Sequence, residues 1–366
     1  MDVGGLVAAA GRLQSYDANA GQFSFDQLDG SVTQDGVIRG DFVALVGGAI
    51  EQRGTITSTK GDVALAAGDA VSMNIGESGL LSLEVASDDA LGTIEQSGEI
   101  VAESAAILKA DAAQDLLFDA VNGEAETQLV MRDGKLQLVE VSGAIAAETI
   151  EVDAGDQGAV IVEGQLAAVD GEQGGQIDVL GGAVTIANGA TLDASGESGG
   201  GLIQVGGSWQ NSDLTVPQSL VSRVEQGASL LANATVAGDG GEIVVWSDIY
   251  DTQSVTDVSG RLLTKGKGSD GRGGRIETSG FSLGISNVEV DTSSDVRGSG
   301  IWLIDPYNYT IRADQARAIE SALASSNVEI TTTSNSNQPF PTDGVNAPAA
   351  GDGDIRVVDT INSTAT

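Results

Sequence analysis

Several places in this 366-residue chain combine residue types that do chemistry. "RGD" at Arg39, Gly40 and Asp41 sets opposite charges on either side of a residue with no side chain, the tripeptide that integrin-type receptors recognise. "GKGSDG" (266–271) has the Gly-x-Gly-x-x-Gly spacing of a dinucleotide phosphate cradle, and Lys265, Lys267, Arg272 and Arg275 make the same region the one basic cluster of the sequence. Asp178 and Glu277 lie on alternating apolar stretches that a stacked fold could in principle set on a shared face. A polysaccharide hydrolase needs such a pair about 5–10 Å apart. Asp88–Asp89 and Asp352–Asp354 are acidic pairs without the spacing of a metal loop. Asn233, Asn308 and Asn362 each open an Asn-x-Thr acceptor sequon.

Each has a plainer reading in the sequence around it. Gly40 and Asp41 start "GDFVALVG" (40–47), which returns as "GDVALAAG" (61–68), so the tripeptide falls where a strand begins and not on a loop tip. With 51 glycines, the cradle spacing is expected by chance, and a true cradle is followed by a helix, which is not read here. The basic cluster decorates a loop, and no sequence argument brings Asp178 and Glu277 together. No catalytic, cofactor-binding or metal-ligating residue is therefore assigned, and the expectation is a protein that is not an enzyme. Arg39, Gly40 and Asp41 stay as binding candidates.

Composition narrows the classes further. The chain has no Cys and no His, which excludes disulfide frameworks, thiolate zinc sites and imidazole triads. A formal charge of −36 opposes binding to nucleic-acid phosphates and to anionic membrane surfaces. No run of 18 apolar residues occurs, so no membrane insertion is expected. Apolar residues make up 41% but aromatics only 4%, which describes a thin aliphatic core.

The elements that must position these residues are short strands. A Gly-Gly-x-Ile unit recurs from Gly174, Gly200, Gly240 and Gly273, at drifting intervals, and "GAIEQRGTI" (48–56) returns as "GTIEQSGEI" (92–100), an offset read as two turns of 22. Apolar and polar residues alternate within each unit, and Gly, Asn, Asp or Ser closes it. The class predicted is all-β, a parallel β-helix with coils of about 20–25 residues and loops of variable length on one side. Segment 208–226 is the excursion most expected from the sequence. Residues 314–325 predict a short helical insertion near the C-terminus, with Asp314 as its cap and Ala316, Ile319, Ala322 and Leu323 on one face, and "GDIRVVDT" (353–360) predicts a resumed strand.

The aromatics gather in "GSGIWLIDPYNYTI" (298–311), where Trp302, Asp305, Pro306 and Tyr307 form one block. Together with "GGEIVVWSD" (240–248), "GGRIETSGFSLGI" (273–285) and "VEVDTSS" (288–294), in that order, it resembles the filamentous-haemagglutinin-like exoproteins of two-partner secretion. The resemblance implies a right-handed β-helix and a Gram-negative adhesin shaft, secreted or held at the cell surface, that mediates attachment. Its partners would be a TpsB-type outer-membrane transporter and a host or neighbouring-cell receptor or glycan, with no cofactor. It also implies that residues 1–85 end the secretion domain, 86–305 form the shaft and 306–366 hold the helical insertion and a resumed coil. The family's signal peptide and Asn-Pro-Asn motifs are not found, so the chain reads as starting inside that domain. Trp302, Ile304 and Tyr307 are expected over a coil end, with Pro306 stopping the strand. Alternatives within the same reading are the stem of a contact-dependent toxin, a haem-acquisition exoprotein and a β-helical polysaccharide enzyme. A truncated solenoid is also expected to self-associate end to end.

Overall fold

The structure is a computed structural model that describes residues 2–17, 20–76, 79–88, 91–112, 131–332 and 353–362. The chain forms a right-handed parallel β-helix that divides into two units, residues 1–167 with 181–183, and residues 168–180 with 184–366.

In the first unit successive coils lay down three short strands, the first of them merging two into the long strand Val37–Gly47. Ala49–Gln52, Thr55–Ser58 and Val63–Ala67 make one coil, and Thr93–Gln96, Glu99–Val101 and Ala105–Ala110 make the next. Like stacks on like: Ile50 pairs with Ile94, Ile56 with Ile100 and Leu65 with Leu108, all at most 1% exposed. Alternation in sequence thus becomes an inward aliphatic column.

The offset of 44 residues between the two Ile-Glu-Gln repeats is therefore one coil and not two turns of 22. After Val63–Ala67 the chain leaves the coil to make the hairpin Ala70–Gly76 and Gly79–Ala86. That hairpin joins Arg12–Asp17 and Gln22–Asp26 in a four-stranded antiparallel sheet. The sheet exists because the run "FVALV" is apolar at every position and so needs cover on both faces. Phe25, Val71 and Met73 pack from the sheet onto Phe42, Ala44 and Val46. The register moves here: Gly40 pairs with Ser58, an offset of 18, and not with Gly61, while Val43 pairs with Val63, an offset of 20, so the later coil holds two more residues between these pairs.

One corner of this unit is held by side-chain amides. Gln52 Nε2 donates to Gln34 Oε1 at 3.1 Å and to the Gly54 carbonyl at 2.7 Å. Gln96 Nε2 repeats the pattern one coil on, to Gln52 Oε1 at 3.1 Å and the Gly98 carbonyl at 2.8 Å. The next residue in register is Val141, and the file ends there.

In the second unit, Gln176–Leu180, Leu202–Val205, Glu242–Trp246, Arg275–Gly280, Ile301–Pro306 and Asn327–Ile330 stack in parallel. The inward column runs Ile177, Ile203, Ile243, Ile276, Trp302, Val328. Each drifting interval of the Gly-Gly unit is thus a single coil. A second ladder stacks Leu192, Leu230, Leu262 and Val290, and a third joins Val221–Val224, Val255–Val258 and Ser282–Gly284. The strand Val221–Val224 lies inside the stretch read as a loop, so the excursion is shorter than 208–226.

The helix is Ala313–Ala322, with Arg312 in the cap position and Asp314 paired to Arg317 in the first turn. Ala316, Ile319 and Ala322 are buried on its inner face, whereas Leu323 is only half-buried and lies past the last turn. The strand Ile355–Val357 follows, paired with Tyr309–Ile311.

Candidate interaction surface

Arg39, Gly40 and Asp41 lie within the strand Val37–Gly47, with Arg39 paired to Asp2 on one side and Thr57 on the other. Arg39 is exposed and Gly40 is buried. Asp41 accepts from Lys60 Nζ at 2.9 Å and Thr59 Oγ1 at 3.3 Å, and the lysine bond holds its carboxyl below the usual range. The tripeptide is thus a piece of ladder with its acid engaged.

Three members of the basic cluster pair with acids on neighbouring coils. Lys265 pairs with Asp291 at 2.6 Å and Lys267 with Asp295 at 3.2 Å, both acids one coil further on. Arg275 pairs with Glu242 in the coil before and lays its guanidinium 4.3 Å from the centre of the Trp209 ring. Arg261 with Glu289 and Arg223 with Asp257 follow the same rule. Bases here clip neighbouring coils together, and the acid excess faces solvent. "GKGSDG" is the turn between Arg261–Leu263 and Arg275–Gly280, and a strand, not a helix, follows it.

Asp178 and Glu277 do share a face. Asp178, Gln204, Val244 and Glu277 occupy one register row, outward from the Ile column. Two strands intervene, so the backbones lie about 14 Å apart at about 4.8 Å per strand, too far for a cooperating pair. Glu277 is moreover 0% exposed. It lies under the segment 206–219, accepting from the Gln210 N–H at 2.7 Å and from Ser279 Oγ at 2.9 Å. Burial, the largest cause, pushes its carboxyl up to about 8, with Asp305 and Glu242 adding to the shift. Alternation in the sequence places Glu277 outward but carries no sign of the cover.

Beside these strands runs an open groove of about 800 Å³. Gly200, Gly201, Gly240, Gly241, Gly273 and Gly274 floor it, and Asp239, Arg272 and Asn327 stand at its walls. The floor is glycine for reasons of packing: a Cβ on Gly241 would sit 2.0 Å from the Gly201 carbonyl oxygen, and one on Gly274 2.1 Å from that of Gly241. The Gly-Gly repeat is the imprint of coils that cross at backbone contact.

Trp302 is not at a coil end. It is 0% exposed within the ladder, between Ile276 and Val328, and its Nε1 donates to Thr278 Oγ1 at 3.1 Å. Ile304 is buried in the same ladder, opposite Thr278 and Ile330. Pro306 is the last residue of its strand, opposite Gly280. Asp305 is buried and accepts from Thr331 Oγ1 at 2.7 Å, and Tyr307 stacks on Phe281 with ring centres 4.9 Å apart. Asn233 spends its side chain on the turn: its Oδ1 accepts from the Lys265 N–H at 2.8 Å and its Nδ2 donates to Ser195 Oγ at 3.4 Å. Asn308 Oδ1 accepts from the N–H groups of Gly353 and Asp354. Asp89, Asp352 and the Ser-Thr of the third sequon lie outside the described residues. Among the described residues, no three Asp or Glu side chains are grouped to hold a metal ion.

No family model matches this sequence, and no curated protein sequence matches it. Among solved structures, the chain is similar to the crystal structure of the HMW1 secretion domain from Haemophilus influenzae, with 20% identity over 80% of this chain and 73% of that one and a TM-score of 0.45. The β-helix itself is defined by the ladders above.

Proposed function

We propose that the chain belongs to the shaft of a secreted or surface-exposed bacterial exoprotein, a β-helical adhesin stem exported by a partner outer-membrane transporter. The observation that supports this best is how the residues are spent. The inward columns are built almost wholly of Ile, Leu, Val and Ala, with Trp302 the large exception, and in the second unit the Gly-Gly pairs serve coil contact and the bases serve as clips between coils. Such a chain invests in stacking and leaves its side loops free to vary, which suits a stem that presents a surface. The ordered blocks 240–248, 273–285, 288–294 and 300–311 support export by two-partner secretion, through their resemblance to those exoproteins. A chain without Cys suits passage through an outer membrane unfolded.

The receptor in this reading is a protein or glycan of neutral or cationic character, since a charge of −36 repels anionic ones. The boundaries at 85 and 305 and end-to-end association through strands such as Asn327–Ile330 are parts of the same proposal. Sequencing the DNA around the reading frame tests it. An upstream signal peptide with Asn-Pro-Asn motifs, beside a gene for a barrel transporter, is the expected result. Neither feature being there would overturn export by this route.

A further inference from the structure

The outward face of Glu242–Trp246 and Arg275–Gly280 is covered, unlike an ordinary solvated sheet face. Val244, Trp246 and Glu277 are at most 1% exposed. Segment 206–219 lies over them and is tied down at a few points. The Gln210 N–H donates to Glu277 Oε2 at 2.7 Å, Trp246 Nε1 to Gln218 Oε1 at 3.0 Å, and the Asp248 N–H to the Ser219 carbonyl at 3.0 Å. At one end Gly206 has φ +76°, and a Cβ there would meet Ser222 Oγ at 2.1 Å, so the chain turns off the coil where only glycine fits. Gln210 and Asn211 both hold left-handed φ, 47° and 48°, a conformation that costs energy in residues with a side chain and is kept only while the surroundings impose it.

We propose that segment 206–219 is a strap latched by a proton on Glu277, docked over the sheet while the carboxyl is neutral and released when it ionises. Docking takes both oxygens of Glu277 out of water and adds only the Gln210 N–H to the Ser279 hydroxyl of its own strand, too little to hold a charge.

Among the described residues Glu277 makes no ion pair, and the base of its own strand, Arg275, is spent on Glu242. From Ile301–Pro306 come Leu303 and the acid Asp305. Asp213 on the strap is engaged by Thr215. On the turn after Trp246, Tyr250 couples to Asp305 and Asp248, and burial raises the Asp248 carboxyl. Burial in the docked state raises the Glu277 carboxyl from its ordinary 4.5 to about 8. The raised value means that docking is at full strength below about 4.5, weakens as pH rises and is lost through about 8. This device is independent of the shaft reading.

The test is acrylamide quenching of tryptophan fluorescence on the intact chain from pH 5 to pH 9.5. Trp209 and Trp246 lie under or on the strap, while Trp302 lies inside the ladder. Quenching is expected to rise through about pH 8 with far-UV dichroism unchanged, to stay flat in Glu277→Gln, and to keep its midpoint in Asp248→Asn. A flat wild-type profile, or a transition that survives Glu277→Gln or vanishes in Asp248→Asn, overturns the proposal. Hydrogen exchange on the wild type alone gives a second reading. Corrected for intrinsic rate, protection of 207–219 is expected to fall across this range while that of 275–280 holds, and equal behaviour of the two segments overturns the latch.

Discussion

Gln34, Gln52 and Gln96 show how one side chain can be written for a stack. Each occupies an x-Gln-x-Gly corner, and Gln52 and Gln96 each give one amide hydrogen to the previous amide and one to the carbonyl of the following glycine. Val141 ends the file although Gly143 is in place, and leaves the buried Gln96 Oε1 without a protein partner. Val141→Gln should therefore stabilise the fold, by about 1 kcal/mol, seen as a higher urea midpoint. Gln52→Leu removes bonds on both sides and should cost about 1–3 kcal/mol in the same titration. A Val141→Gln midpoint lower than wild type would show that the corner has no room for the amide. At the other end of the size scale, Trp302→Ala empties a fully buried site and should cost about 3–5 kcal/mol, whereas Trp302→Phe, which keeps most of the volume and loses the bond to Thr278, should cost clearly less.

The element that sets the stacking of the second unit is the Gly-Gly turn before the strands Gln176–Leu180, Leu202–Val205, Glu242–Trp246 and Arg275–Gly280. Gly241→Ala forces a methyl against the Gly201 carbonyl, which is backbone on a neighbouring coil and cannot swing aside. The expected result is loss of cooperative unfolding or a melting temperature many degrees lower, and an unchanged melting curve would refute backbone contact at this turn. These turns were legible: four Gly-Gly-x-Ile units in the sequence are four successive coils. The repeat at 44 residues was misread because the hairpin Ala70–Gly76 and Gly79–Ala86 inserts about one coil's length, and a period cannot distinguish an insertion of that length from another turn. Alternation likewise set Glu277 on the outward face but not beneath a cover, since the strap that buries it lies 67 residues earlier at Gln210. Trp302 was legible as a core residue but not as an interior one, because nothing in "WLIDP" announces that Asn327–Ile330 stacks next.

For the whole molecule, stability is a sum of like contacts between neighbours, so far-UV dichroism should be dominated by β signal, with Ala313–Ala322 the one α-helix among the described residues. Sedimentation of the isolated chain should show mass growing with concentration, as strand edges find one another, and a strict monomer at high concentration would contradict end-to-end association. The absence of native Cys allows the stacking itself to be tested directly. Arg261 and Glu289 are exposed and directly opposite on adjacent coils, 28 residues apart in sequence. Adjacent parallel strands lie about 4.8 Å apart, within disulfide reach. Arg261→Cys combined with Glu289→Cys should cross-link within one chain under mild oxidation while retaining the β spectrum, and Arg261→Cys with Arg223→Cys, which are not paired, should not. Failure of the first pair to cross-link, or equal cross-linking of both, would contradict a parallel β-helix with one coil per repeat.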